Sequence, residues 1–165
     1  LCTGEQARHL DLNEMGIYML NEHDQMIAGL CGTGDYNGAA DAAAEVGPDS
    51  PVPAALIGNV MVIERIAVLK DHRNQGIGSR LLRRAYGLAV MTPAIGVQTL
   101  TFDNTIPGLY DFYVKNGFQV INGKDLIFQF AHLATGFISP QLNPNYRWAF
   151  REIHPGLVRI VNPIH

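Results

Sequence analysis

The stretch from Met61 to Leu88 has the residue types and spacing that build an anion site. It begins with apolar and β-branched residues, passes through a polar turn and a loop carrying Gly76 and Gly78, and ends in an amphipathic helical pattern. A loop between a strand and a helix leaves backbone N–H groups at the positive end of the helix dipole, where they bind phosphate. Arg73, beside the loop, adds a forked and charged donor. The stretch therefore predicts a pyrophosphate-binding loop.

The spacing within this loop excludes two common phosphate motifs. A P-loop has a Lys directly after its second Gly and a Ser or Thr after that Lys, whereas Gly78 is followed by Ser79 and Arg80. A dinucleotide fingerprint needs a third small residue where this chain has Leu81. The remaining pattern is R-x-x-G-x-G over 73–78. Taken alone, this short pattern is also compatible with a simple glycine turn before a surface helix.

A second pattern lies downstream, where Asn104 is followed by Y-V-K-N-G-F from Tyr113 to Phe118. An Asn at the end of a strand, followed by Y-x-K-x-G-F at the end of a helix, resembles a segment of the GNAT (Gcn5-related N-acetyltransferase) superfamily. The R-x-x-G-x-G loop resembles the acetyl-coenzyme A signature of the same superfamily, and the two patterns occur in its order. Together they cover about residues 59–121, and a predicted hairpin at 16–33 fits the strands that precede them. The resemblance implies an α/β (α+β) fold with a mixed central sheet flanked by helices.

The resemblance also implies an activity, which is transfer of an acetyl group from acetyl-CoA to a primary amine of a small molecule or amino acid by direct attack. A main-chain N–H near Val68 would donate to the oxyanion. The residues expected to hold the donor are Ile66, Ala67 and Val68 beside the pantetheine arm, Arg73, Asn74, Gln75, Gly76, Ile77, Gly78 and Ser79 around the pyrophosphate, and Asn104 near the thioester. The alternatives are acetylation of a protein or peptide amine, and a regulatory module that binds coenzyme A without catalysis.

Three side chains are candidates for proton transfer, two for the general acid and one for the general base. Tyr113 occupies the family's position for the general acid, and Tyr110, three residues earlier on the same helical face, is the second choice. Tyr113 is also compatible with a core-facing aromatic residue. Glu64 has the same strand parity as Ile66 and Val68, so it is expected to act as the general base, directly or through water. The alternative is that Glu64 faces solvent or pairs with an Arg.

Composition limits the classes of partner. The chain has 165 residues, 47% of them hydrophobic and 16% charged, which is typical of one folded domain. A formal net charge of −3 argues against nucleic-acid or anionic-membrane binding. No apolar run reaches the roughly 18 residues of a membrane span, and two cysteines are too few for a disulfide framework, so a cytoplasmic protein is expected. The cluster at 22–24 is interpreted as a solvated turn, and no metal is expected.

Local patterns predict the order of the elements. Turn residues and alternation predict a long loop or insertion over 34–58, where several prolines interrupt an Ala-rich run. Asn122 and Gly123 predict a tight hairpin. The remaining elements are expected at 59–69 (strand), 75–91 (helix), 97–102 (strand), 106–115 (helix), 118–121 (strand) and 126–130 (returning strand).

Both ends of the chain depart from the family's pattern. The family has a strand and two helices before the hairpin, whereas few residues precede it here, so these elements are expected to be short or missing. The apolar tail is expected to add a strand or to cover that region, within the chain or across a homodimer. The resulting prediction is a single acetyltransferase domain over 1–165, with a GNAT core at about 14–130 and a C-terminal extension at 131–165.

Overall fold

The computed structural model describes residues 4–11, 14–133 and 135–162 of the chain. Its strands are β1 (Gly4–Asp11), β2 (Glu14–Leu20), β3 (Met26–Gly34), β4 (Val60–Val68), β5 (Val97–Asp103), β6 (Gln119–Val120), β7 (Asp125–Phe130), β8 (Gly136–Pro140), β9 (Tyr146–Glu152) and β10 (Val158–Ile160). Its helices are α1 (Tyr36–Val46), α2 (Pro51–Asn59), α3 (Ile77–Val90) and α4 (Leu109–Lys115), with a 3₁₀ turn at Lys70–His72. No helix in these stretches is long and apolar enough to cross a membrane.

A seven-stranded mixed sheet in the order β1-β2-β3-β4-β5-β9-β6 forms the centre of the fold. Its strand pairs are antiparallel except for β4 and β5, which run parallel. Helices α3 and α4 pack on one face of this sheet and form the first hydrophobic cluster with it. Helices α1 and α2 pack on the other face in a second cluster, together with a small sheet in the order β10-β7-β8. The predicted fold class, a mixed sheet flanked by helices, is therefore confirmed.

The hairpin predicted over 16–33 is present as β2 and β3. Met15, Ile17 and Met19 alternate inward, as half-buried strands require. The Asn21 carboxamide accepts from the backbone N–H groups two and four residues later, which closes the turn. A strand, β1, precedes this hairpin and pairs with β2 at the edge of the sheet, although the sequence indicated few elements there.

The prediction of a long loop over 34–58 is wrong, because this segment forms α1 and α2. The Ala-rich run supports α1, whose first turn is capped by the Asp35 carboxylate accepting from Gly38 N at 2.8 Å. Ser50 caps α2, and Pro51 occupies its first turn, where a missing N–H costs nothing. The prolines therefore begin a helix instead of preventing one, and the two helices follow β3.

The hairpin predicted over 118–130 is also wrong. Strand β6 has two residues and pairs with β9, whereas β7 pairs with β8 and β10 in the second sheet. The Asn122–Gly123 turn leads the chain to the opposite face, where Leu126, Phe128 and Phe130 are fully buried in the second cluster. The segment predicted as an extension thus supplies β9, a strand inside the central sheet between β5 and β6.

The central sheet splits between β4 and β5. These strands pair only from Val60 to Val62 on β4 and from Val97 to Thr99 on β5. Beyond this point β4 continues with β3, and β5 continues with β9 as far as Asp103. Among the described strands, the edge of β4 that faces β5 therefore has no partner after Val62, and it is available for hydrogen bonds to an extended ligand.

Candidate active site

The loop predicted to bind pyrophosphate joins the end of β4 to the start of α3. The guanidinium Nε of Arg73 donates to the carbonyl of Val68 at 2.9 Å, so this exposed side chain is anchored to the strand end. Its two terminal nitrogens make no further hydrogen bond to the described part of the protein. Arg73 therefore has donors left for an anion beside the loop.

Two residues of this loop adopt left-handed backbone conformations. Asn74 has φ 61° and Gly76 has φ 76°, values that Asn and Gly tolerate better than other residues. Gly76 is the N-cap of α3, and no side chain of the described residues caps this helix or places an acid in its first turn. The first intrahelical bond runs from Arg80 N to the Gly76 carbonyl at 3.1 Å. The N–H groups of the first turn are consequently presented outward, as an anion site requires.

Helix α3 and helix α4 meet at Gly78. A Cβ at this position would lie 3.0 Å from the Phe112 ring, so only a residue without a side chain fits without displacement. Ile77, beside it, is buried and fixes the helix start on the core. The two motifs predicted from the sequence, the glycine loop and the Y-x-K-x-G-F helix, are therefore neighbours in the structure, and Phe112 is a contact residue that neither motif indicated.

Strand β4 presents its last residues toward the split. Ile66 and Val68 pack against the first cluster, whereas Ala67 is exposed. Leu69 N donates to Ile27 O at 2.9 Å, which ties the end of the strand to β3. The three residues predicted to flank the pantetheine arm thus form an edge with one side paired and the other side open.

Asn104 lies on the opposite side of the split, directly after β5. Its backbone N–H donates to Asn145 O at 2.8 Å, and its side chain is exposed. The preceding residue, Asp103, accepts from the Thr105 hydroxyl and backbone N–H, which lowers the pKa of the Asp103 carboxyl. This turn fixes the direction in which the chain leaves β5 and carries Asn104 beyond the strand end.

Tyr113 has a buried ring on the first-cluster face of the sheet. The ring lies 5.0 Å from Phe102 and 5.8 Å from Phe118, measured between centroids, and the residue is 6% exposed. Burial raises the pKa of the Tyr113 phenol above 10.0, so it keeps its proton at neutral pH. Tyr110, the second choice, is 44% exposed on the outer side of α4.

Glu64 occupies a β-bulge two residues beyond the last pair of β4 and β5. The register with β3 passes from Gly32↔Ile63 to Cys31↔Arg65, so Glu64 is the extra residue. Its exposed carboxylate accepts from the Thr33 hydroxyl at 3.4 Å. Thr33 pairs with Val62, which packs on the second cluster. Because the Glu64 carboxylate contacts Thr33, it lies on that face of the sheet, opposite Ile66 and Val68. The simple alternation assumed from the sequence does not hold across the bulge.

No group of three or more His, Cys, Asp or Glu side chains within the described residues could hold a metal ion. The acid-rich turn at 22–24 instead contains an exposed contact of 3.5 Å between His23 and Glu22.

Comparison with solved structures identifies the same architecture in several acetyltransferases. A GNAT-family acetyltransferase from Streptococcus pneumoniae is similar with a TM-score of 0.57 and 14% identity, over 87% of this chain and 70% of that one. A GNAT-family acetyltransferase from Elizabethkingia anophelis, with acetyl-CoA bound, gives a TM-score of 0.53 and 14% identity over 85% and 76%. Nourseothricin acetyltransferase gives 0.52 and 12% over 86% and 66%. At these identities the likeness shows a common fold.

The family comparison covers most of the chain. No curated protein gives a significant match. The acetyltransferase (GNAT) domain family matches residues 15–120, which include the hairpin, the split sheet, the glycine loop and the Y-x-K-x-G-F segment. The chain therefore belongs to the GNAT acetyltransferase family, and its enzyme class is that of an acyltransferase.

Proposed function

We propose that the chain transfers an acetyl group from acetyl-CoA to a primary amine of a small molecule or amino acid, by direct attack of the amine on the thioester. The observation that carries this proposal is the arrangement around the split in the sheet. Tyr113 lies on one face of the split, and Glu64 lies on the other. An acid and a base on opposite faces suit a reaction in which the amine approaches from one side and the thiolate departs toward the other.

The donor would enter along the open edge of β4. Ile66, Ala67 and Val68 would hydrogen-bond to the pantetheine arm in the manner of an added strand, because this edge pairs with β5 only as far as Val62. Residues 73–79 would surround the pyrophosphate with the outward N–H groups of α3. Asn104, across the split, would contact the arm near the thioester. A neighbour with acetyl-CoA bound supports this donor class.

The chemistry needs the amine nitrogen to lose two protons and the thiolate to gain one. The Glu64 carboxylate would accept a proton from the incoming ammonium group, directly or through water, and leave a neutral amine. That amine attacks the thioester carbonyl, and the oxyanion is stabilised by a main-chain N–H near Val68. Collapse of the intermediate breaks the C–S bond, the attacking nitrogen releases its second proton to solvent to give the neutral amide, and the protonated phenol of Tyr113 would donate to the departing thiolate. A raised phenol pKa suits this role, because the proton is present before transfer.

A small cationic acceptor is favoured by charge and by the position of the base. The formal net charge of −3 attracts amines in their protonated form. The exposed Glu64 carboxylate lies at the bulge on the side of α1 and α2, where an acceptor can reach it. A neighbour whose name specifies nourseothricin as its substrate supports the same class.

A donor-consumption screen tests the proposal. Purified protein is incubated with acetyl-CoA and panels of amines, polyamines, amino acids and peptides, and free thiol is measured over a control without acceptor. We expect the fastest thiol release with a small amine. Faster release with peptides would favour the protein N-acetyltransferase alternative. Measurable coenzyme A binding without thiol release for any acceptor would favour the non-catalytic module and contradict the enzyme proposal.

A further inference from the structure

A second cavity lies between α3, α4 and β9, away from the split. Its volume is about 500 Å³, and its lining residues are Arg83, Tyr86, Lys115, Asn116, Gly117, Arg151 and Glu152. A volume of this size falls within the range of small-ligand sites, roughly 300–1,000 Å³. It is called the Arg151 cavity, after the residue at its base.

Arg151 is a buried cation at the base of the cavity. The residue is 8% exposed, and its guanidinium lies 4.9 Å from the centroid of the Tyr86 ring and 4.4 Å from that of Phe118. Three nitrogens donate to neutral acceptors, namely the Gln98 carboxamide at 2.7 Å, Leu82 O at 2.7 Å and Asn116 O at 3.2 Å. A guanidinium has five N–H groups, so two remain without an assigned acceptor.

Within the described residues, no carboxylate balances this charge. The three acceptors of its guanidinium are a carboxamide oxygen and two main-chain carbonyls, and none of them carries a charge. Desolvation lowers the pKa of Arg151 to about 10, so the side chain stays charged at neutral pH. A buried charge without a counter-ion is unfavourable unless another partner supplies the opposite charge.

The surroundings of the cavity add positive charge. Arg83 on α3 and Lys115 on α4 are exposed and line its walls. Glu152 is the acidic residue of the lining, and its carboxylate accepts from the backbone N–H of Ile160 in β10 at 3.4 Å. Three cations therefore converge on one cavity of a protein whose formal net charge is −3.

The Arg151 cavity is placed away from the predicted donor loop. Arg151 pairs with Gln98 near the start of β5, whereas the glycine loop follows the end of β4. Because β4 and β5 run parallel, the start of one and the end of the other lie at opposite ends of the sheet. The Arg151 cavity is therefore a different site from the predicted pyrophosphate loop at the N-terminus of α3.

We propose that the Arg151 cavity binds a phosphate dianion, either free phosphate or the phosphate group of a small metabolite. Arg83 and Lys115 supply charged donors at its walls, and Arg151 supplies the buried charge and two unassigned N–H groups. A guanidinium fork and an ammonium group are the donors that proteins use most for phosphate.

The test measures binding to the full chain by isothermal titration, at constant ionic strength set with NaCl, with coenzyme A already at saturation. Inorganic phosphate and glycerol 3-phosphate are titrated in parallel arms. We expect saturable binding of at least one of them, and tighter binding of glycerol 3-phosphate identifies a phosphorylated metabolite as the natural class. In the Arg83→Gln, Lys115→Gln double variant the dissociation constant should rise by about tenfold or more. Both substitutions are on exposed side chains, so folding is retained.

The matched control is Arg84→Gln, which removes the same charge from the adjacent exposed position of α3 but not from the cavity lining. It should leave the dissociation constant within about twofold, because exposed charges outside the site are screened. Three results would overturn the proposal: no saturable binding in either arm, an equal loss in Arg84→Gln, or a dissociation constant that the double variant leaves unchanged.

Discussion

At the scale of single residues, Tyr113 has a buried ring that three other aromatic rings contact. Phe102 of β5, Phe112 of α4 and Phe118, directly before β6, contact its ring with centroid distances of 5.0–5.8 Å. This packing fixes the ring and leaves the phenol few orientations. A proton donor benefits from such positioning because no ordering is needed during the reaction.

Replacing Tyr113 by Phe should lower kcat roughly 100-fold, the range of a lost general acid. The dissociation constant for coenzyme A should change by less than about threefold, because the donor loop and the edge of β4 are untouched. Stability should be nearly unchanged, since the ring contacts remain. Steady-state kinetics with the best acceptor of the screen and a coenzyme A titration check these values.

The matched control for this variant is Tyr110→Phe, which removes a hydroxyl from the exposed side of the same helix. It should keep kcat within about twofold. If the two variants lost equal activity, or if Tyr113→Phe kept full activity, Tyr113 would be a structural aromatic residue and not the acid.

Position 76 favours glycine because of its left-handed backbone conformation, and not because a side chain there would clash with other residues. Its φ is 76°, and no atom of the described residues lies within 4 Å of the position a Cβ would take. Gly76→Ala should therefore destabilise the protein by about 1–2 kcal/mol, the cost of a left-handed conformation for a residue with a Cβ. Coenzyme A binding should also weaken, because relief of the strain moves the N–H groups at the start of α3. Denaturant unfolding and a coenzyme A titration measure the two effects.

Gly87→Ala gives the comparison within the same helix. Gly87 lies inside α3, where an added Cβ would likewise meet no described atom within 4 Å, but its backbone is ordinary helix. Alanine there should stabilise the protein by about 0.5–1 kcal/mol. Opposite signs for the two substitutions are expected; two stabilising changes would mean that the loop tolerates a side chain at Gly76.

At the scale of elements, the sequence predicted those whose signals are local. The strand, glycine loop and helix from Val60 to Val90 were predicted within two residues of their bounds, because β-branched residues, glycines and helical periodicity coincide there. The Asn122–Gly123 turn was misread because its hairpin signal is local, whereas the partner of β6 is chosen by long-range packing. The bulge at Glu64 carries no local signal at all, so strand parity placed that side chain on the wrong face.

Helix α1 begins with a buried acid, which makes stability depend on pH. Burial, the largest cause, raises the pKa of Asp35 above 3.8, although the N–H of Gly38 opposes this. The folded state then binds a proton that the unfolded state releases, so stability should fall as pH rises from about 3.8 through the raised pKa. Asp35→Asn keeps an N-cap acceptor and removes the titration, so this fall should be absent in the variant.

Unfolding free energies measured from acid to neutral pH test this prediction. Asp49→Asn is the control, since Asp49 is an exposed residue between α1 and α2, and its pH profile should follow that of the wild type. Parallel profiles for the wild type and Asp35→Asn would show that the Asp35 carboxylate does not titrate differently on folding.

At the scale of the whole molecule, the central sheet contains β9, a strand from the C-terminal part of the chain, between β5 and β6. Residues 146–152 form β9, which pairs with all of β5 and with β6. The apolar tail was expected to add a strand or to cover the N-terminal region, and it does add β9. The register of β9 with β5 depends on contacts about 50 residues apart in sequence, such as Gln98 with Arg151 at 2.7 Å. Pairings over such a separation leave no periodic signal in a single sequence, and this is why the position of β9 between β5 and β6 was not predicted.

Ending the chain after Phe130, the predicted end of the core, should therefore prevent folding. The truncated chain would lack β8, β9 and β10, and it would expose the side of β5 and the buried face of β7. Burial of Phe150 alone contributes about 1.5–3 kcal/mol, and loss of the whole strand exceeds the roughly 5–15 kcal/mol stability of a domain. Circular dichroism and hydrogen exchange should show an unfolded or aggregated chain, whereas a chain ending after Asn162 should fold. A cooperative, coenzyme A-binding 1–130 fragment would show instead that β9 is dispensable and that the family's core is complete without it.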